Sequence, residues 1–244
     1  MSSSNIIVFP IRRAVPLYQI KVTLVDSKPP IWRRLQLLGT AHLDLFHAAI
    51  QVTMGWNNSH MHLFRAQDDI TYGDCRLGSK LNKSGLVDEA SVSLMQILPK
   101  VGSSIVYKYG SGDLWDHVVV VERILPPDDA FKGLVQCVGG ARACPPENCG
   151  GMGGYERLLE YQKKPKSKAY REHVLEELGG PIDPDRFDLG LCTKAAGRLK
   201  WEHPTQKQLQ RVTATRKNEK VALEGDTSLK ATGRRIKIES RIDS

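Results

Sequence analysis

The sequence predicts an α+β domain built on a mainly antiparallel sheet. Strand signals cluster in the first part of the chain and helix signals in the later part, without the strand–helix alternation that builds a doubly wound parallel sheet. A chain of 244 residues with 41% hydrophobic residues can bury one ordinary core, so no disulfide framework is needed to support it. From these observations we expect one compact domain over residues 15–197, between a flexible lead-in at 1–14 and a basic, disordered tail at 198–244.

Tyr18 to Leu24 alternates polar and apolar residues with period two, and Ile31 to Leu37 does so again after the turn residues Lys28-Pro29-Pro30. The two runs predict an N-terminal hairpin. Thr40 is then a fair N-cap for a helix reaching Met54, with Leu43, Phe46, Ile50 and Met54 on one stripe and Gly55 as its stop. His60 to Arg65 reads as a short strand, Gly73 and Gly78 as loop positions, and residues 88–98 as a short helix ended by Pro99. Ser104 to Tyr109 and Leu114 to Leu125 are strong strand signals joined by turn residues Gly110 to Asp113. Helices are expected from Gly154 to about Gln162 and from Ala169 to Leu178, with a closing turn at 183–189.

Charge is distributed unevenly. The formal net charge is +8, but twelve Lys/Arg against six Asp/Glu lie from Arg198 onward, leaving about +2 on the rest. The folded part is therefore near neutral, and the expected partner of residues 198–244 is nucleic acid or an acidic protein. No apolar run approaches the ~20 residues of a membrane span, and the N-terminal segment lacks the order of a signal peptide. Five cysteines, an odd number, fit a reducing compartment, so the chain reads as cytoplasmic.

Cys137, Cys144 and Cys149 crowd into a segment that runs to Tyr155 and holds six glycines and two prolines, which predicts a tight irregular path. Cys75 and Cys192 look isolated. The span from Cys144 to Cys149 is one that zinc loops tolerate, and Cys137 would add a third thiolate. His117 is the first candidate for the fourth ligand, with His60 and His62 as alternatives, because residues two apart on a strand share a face. Free thiols and redox chemistry are the competing readings. Asp113, His117 and Glu147 could form a general acid/base site, against the plainer reading that Asp113 holds a turn and His117 packs. No phosphate loop, dinucleotide fingerprint or nucleophile elbow is present.

Five motifs in order carry a resemblance: Trp32-Arg33-Arg34, Met54-Gly55-Trp56 leading to His60-Met61-His62, Gly112 to His117, Cys144 to Gly151, and Gly180 to Pro184. Over about residues 17–197 the chain resembles the plasmid pRiA4b open-reading-frame-three-like family, whose relatives are also labelled passenger TnpR-like proteins of insertion sequences. The resemblance implies a compact α+β domain associated with bacteria and mobile elements, and it brings no catalytic residue set. Nothing here matches the nucleophilic Ser and arginine cluster of a serine resolvase. Two positions depart from the family pattern. Gly110-Ser111 stand where an acid and an aromatic are usual, and Asn148 replaces an Asp. Two readings result: a non-enzymatic binding domain braced by zinc, or a metal-dependent, nuclease-like hydrolase using the His/Asp/Glu/Cys residues.

Overall fold

A computed structural model describes residues 15–75, 85–110 and 115–200. The expected lead-in at 1–14, the candidate Asp113 and the tail from 201 lie outside the described residues. The N-terminal hairpin forms as expected, with β1 at Leu17–Leu24 and β2 at Trp32–Leu38. β3 (His62–Arg65), β4 (Thr71–Gly73) and β5 (Val87–Asp88) are short. β6 (Ser104–Tyr109), β7 (Trp115–Leu125) and β8 (Val135–Ala141) complete the sheet.

Among the described residues the strand order is β5-β4-β3-β6-β7-β1-β2-β8. Every pairing is antiparallel except β4 with β5. Val119 and Val121 of β7 and Ile20 and Val22 of β1 face inward and are fully buried. Their neighbours Gln19, Lys21, Val118, Val120 and Glu122 face the other way and stay half-exposed. One face is thus core and the other solvated, which antiparallel sheets permit.

The helix α1 (Leu43–Met54) fills the core face. Its expected stripe is buried, with Leu43, Phe46 and Ile50 at 0% exposure, and each such side chain contributes about 1.5–3 kcal/mol. Gly55 closes α1 at φ 82°, donating its N–H to Gln51 O. Its start differs from expectation: His42, not Thr40, is the N-cap, and no side chain caps the helix. Thr40 is drawn into a turn, because Ala41 accepts from Leu94 N and is held by that segment.

The helix expected over 88–98 divides into a 3-10 turn at Glu89–Ser91 and α2 (Leu94–Ile97), the latter held by a Ser93/Gln96 capping box. α3 runs Gly151–Gln162, and the expected second helix is a π-helical segment at Tyr170–Glu176. α4 (Leu189–Gly197) begins where the closing turn expected at 183–189 ends, along a stretch for which no helix was expected. Asp188 starts it by accepting from Leu191 N at 2.9 Å. α4 packs on β8 and α1. Among the described residues no helix is long and apolar enough to cross a membrane.

Candidate functional site

The segment from Cys144 to Gly150 is laid over the loop that follows α1, and aromatic side chains fix it there. The Trp56 indole donates to Pro145 O at 3.0 Å and the Trp115 indole to Glu147 O at 3.1 Å. Trp56 stacks on Tyr109, with centroids 5.1 Å apart. These contacts present the Glu147 side chain to the backbone of residues 57–59.

Both Glu147 oxygens are occupied. Oε2 accepts from Asn57 N at 2.9 Å, and Oε1 accepts from Ser59 N at 3.2 Å, Ser59 Oγ at 2.9 Å and the Tyr109 hydroxyl. Burial alone would raise this carboxyl, but the hydrogen bonds from Tyr109, Asn57 and Ser59 outweigh it and hold its pKa down at about 2. Desolvation, then the adjoining Glu147, pushes the Tyr109 phenol up to about 12. A carboxylate this acidic and this fully engaged is a poor proton acceptor at neutral pH. Glu147 acts as a latch between two loops.

His117 sits on β7 with 0% exposure, edge-on to Trp56 at 5.5 Å. Its Nδ1–H donates to Trp115 O at 3.0 Å. Burial pushes its pKa down to about 4, against the pull of the Trp115 and Tyr107 carbonyls. A neutral ring enclosed by aromatics packs the core, and water does not reach it.

His60 and His62 do not share a face as expected, because β3 begins only at His62. His60 Nε2 instead meets Asn148 Oδ1 at 2.5 Å, joining the same loop that Glu147 latches. His62 turns into the core, where Nε2 meets Glu89 Oε2 at 2.7 Å and the ring stacks on His47, centroids 3.4 Å apart. His47 Nε2 donates to Asn58 Oδ1 at 2.8 Å, so its Nδ1 accepts from the Tyr107 hydroxyl at 2.8 Å. Burial and then the neighbouring His62 lower the His47 pKa to about 3.

The four expected zinc ligands are not gathered. Among the described residues no three His, Cys, Asp or Glu side chains are placed to share an ion. Cys137 is an inward position of β8 rather than part of an irregular loop, and its carbonyl accepts from Thr193 Oγ1 at 3.0 Å, which sets Cys192 beside it. Cys144 Sγ lies 3.6 Å from Met54 Sδ, and burial pushes its thiol up to about 12. His117 is enclosed elsewhere by the tryptophans. The isolation expected of Cys192 does not hold in space, because α4 returns it to β8.

The arrangement includes residues that no local signal marked. Tyr109 and Ser59 complete the latch only because β6 and the loop after α1 converge, and Arg33 is buried at 4% exposure beneath the Cys segment. A shallow depression lined by Glu156, Leu159, Glu160, Gln162, Lys163 and Pro184 holds none of the candidate residues.

Comparison with known proteins places this architecture. The chain is 32% identical over 200 residues to the uncharacterized protein y4hQ of Sinorhizobium fredii, covering 78% of this chain and 96% of that one. It is similar to the crystal structure of MM3350, a protein of unknown function from Methanosarcina mazei Go1, with a TM-score of 0.65 and 30% identity over 72% of this chain and 96% of the other. Residues 16–190 match the plasmid pRiA4b ORF-3-like proteins, and the chain belongs to that family.

Proposed function

We propose that this chain is a non-enzymatic binding module that contacts nucleic acid, with the basic segment 198–244 supplying most of the attraction. The observation that carries the non-enzymatic reading is the engagement of Glu147 by four donors, together with the enclosure of His117. Among the described acid/base candidates, Glu147 holds loops and His117 packs the core. The solvated sheet face adds a surface suited to binding. Trp32 lies there beneath two cations, with Lys21 Nζ at 5.1 Å and Arg34 Cζ at 4.8 Å from its ring. The family's description comes from a plasmid reading frame, which supports a mobile-element setting.

The test is fluorescence anisotropy with labelled single- and double-stranded oligonucleotides, using the full chain and a chain ended after Gly197. The full chain is expected to bind, to weaken steeply as salt rises, and to lose at least about tenfold in affinity on truncation. Undiminished binding by the truncated chain would move the contact to the folded domain, and no binding at low salt would refute the reading. Divalent-metal-dependent cleavage of the oligonucleotide, lost in Glu147→Gln, would establish the hydrolase instead.

A further inference from the structure

Beneath the Cys segment lies a cation without a carboxylate. Arg33 is 4% exposed, and its donors go to carbonyls: Nε to Thr53 O at 2.9 Å, Nη1 to Trp32 O at 2.8 Å and to Ala141 O at 3.1 Å. The Phe187 ring covers the guanidinium at 4.8 Å. Among the described residues no carboxylate pairs with it. A buried guanidinium retains its charge, so an anion beside it is strongly favoured.

The neighbour in position to be that anion is Cys192. Its sulfur lies 3.5 Å from Thr53 O, the same carbonyl that receives Arg33 Nε, so thiol and guanidinium meet at one point. Cys192 is also in the first half of α4, whose N-terminal amides favour negative charge. On its other side Thr193 Oγ1 donates to Cys137 O at 3.0 Å, which sets the α4 backbone against β8 and places Cys192 next to Cys137. Cys192 is half-buried, whereas Cys137 is 3% exposed. The pair therefore has one partner that a small reagent reaches and one held behind it.

We propose that Cys192 is a peroxide-reactive thiolate and Cys137 its resolving partner, so that oxidation closes a disulfide between α4 and β8. The Cys192 sulfur attacks one oxygen of hydrogen peroxide. The O–O bond breaks, hydroxide leaves and is protonated to water, and a sulfenic acid remains. Cys137 sulfur then attacks Cys192 sulfur and displaces the hydroxyl group, which leaves as a second water with the Cys137 proton. Two thiols lose two electrons to one peroxide, and the atoms balance.

The electrostatics follow this order. The hydrogen bond from Cys137, then the charge of Arg33, draws the Cys192 thiol below its ordinary value, against its own burial and the Asp188 carboxylate at the helix start. Cys137 is held protonated, first by its bond to Cys192 and then by burial. Once Cys192 is a neutral sulfenic acid its charge no longer opposes ionisation of Cys137, which frees the second thiol to act.

The first test is alkylation of the reduced, full-length chain by iodoacetamide at pH 7, followed by peptide mapping. Cys192 is expected to react at least about tenfold faster than Cys149, which is likewise half-buried. Peroxide treatment should then join the β8 peptide to the α4 peptide under non-reducing conditions, with loss of two hydrogens and reversal by dithiothreitol. In Cys137→Ser the cross-link should vanish and dimedone should trap a sulfenic acid at Cys192. Arg33→Met should slow the alkylation, and because that variant risks misfolding the wild-type map decides. Equal reactivity of Cys192 and Cys149, a Cys144–Cys149 link in place of the Cys137–Cys192 link, or about one equivalent of zinc lost on Cys137→Ser would each overturn the assignment.

Discussion

Glu147 and the two enclosed histidines set the chemistry of this domain at the scale of single residues. The Glu147 carboxylate accepts two backbone N–H groups of the loop after α1, so its charge holds Asn57 and Ser59 in place. Glu147→Gln keeps the shape but removes the charge, and it is expected to cost about 1–2 kcal/mol. Hydrogen exchange at the Asn57 and Ser59 amides should quicken in step. An unchanged exchange rate would mean that the loop is held by the tryptophans alone. The histidines add a pH dependence of the same sign, set at higher pH. Burial lowers His47 to about 3 and His117 to about 4, from an unfolded value of 6.5. Between those values the unfolded chain binds the proton and the folded chain does not. Their stabilising effect is therefore complete above about pH 6.5 and falls as the pH drops toward 3, by roughly 1 kcal/mol per histidine near pH 5.5. Urea midpoints at pH 8 and 5.5 check this, and equal midpoints would contradict it. The sequence marked Glu147 and His117 as ionisable groups worth attention. It could not reveal their roles, because the Tyr109 hydroxyl comes from β6 and the Trp56 ring against His117 from the loop after α1.

At the scale of elements, strongly periodic segments were legible and those that depend on tertiary contact were not. β1, β2, β6 and β7 alternate cleanly, and α1 carries a full apolar stripe. β8 contains Gly139 and Gly140, which read as loop residues, and packing requires the second of them. A Cβ on Gly140 would run into the Phe187 ring, whereas one on Gly139 would make ordinary contact with the Trp32 ring at 3.5 Å. α4 was missed for a related reason. It is short and weakly amphipathic, and only its docking on β8 through Thr193 and Ala196 stabilises it. The Asp188 cap is the local signal that could have found it. Asp188→Ala is expected to lower stability by ~1 kcal/mol, while Asp188→Ser stays near wild type. Thermal melts of the two variants decide, and equal losses would assign the effect to charge rather than to the cap.

At the scale of the whole molecule, charge and fold are separated along the chain. With about +2 on residues 1–197 and about +6 beyond, folding and partner attraction should respond differently to salt. The unfolding midpoint is expected to move by no more than about 2–3 °C between low and high salt, while oligonucleotide affinity falls by orders of magnitude. A large salt shift in the midpoint would place part of the basic segment in the fold. The order of strands has a consequence for synthesis. β1 lies between β2 and β7, with Leu24 opposite His117 and Leu17 opposite Leu125. At about 5–20 residues per second, β7 follows β1 from the ribosome by roughly 5–20 s. During that interval the β1–β2 hairpin presents a bare edge and an apolar face to the cell. Codon changes that lengthen that wait are expected to lower the soluble yield, because an unpaired edge and an apolar face stay open to association for longer.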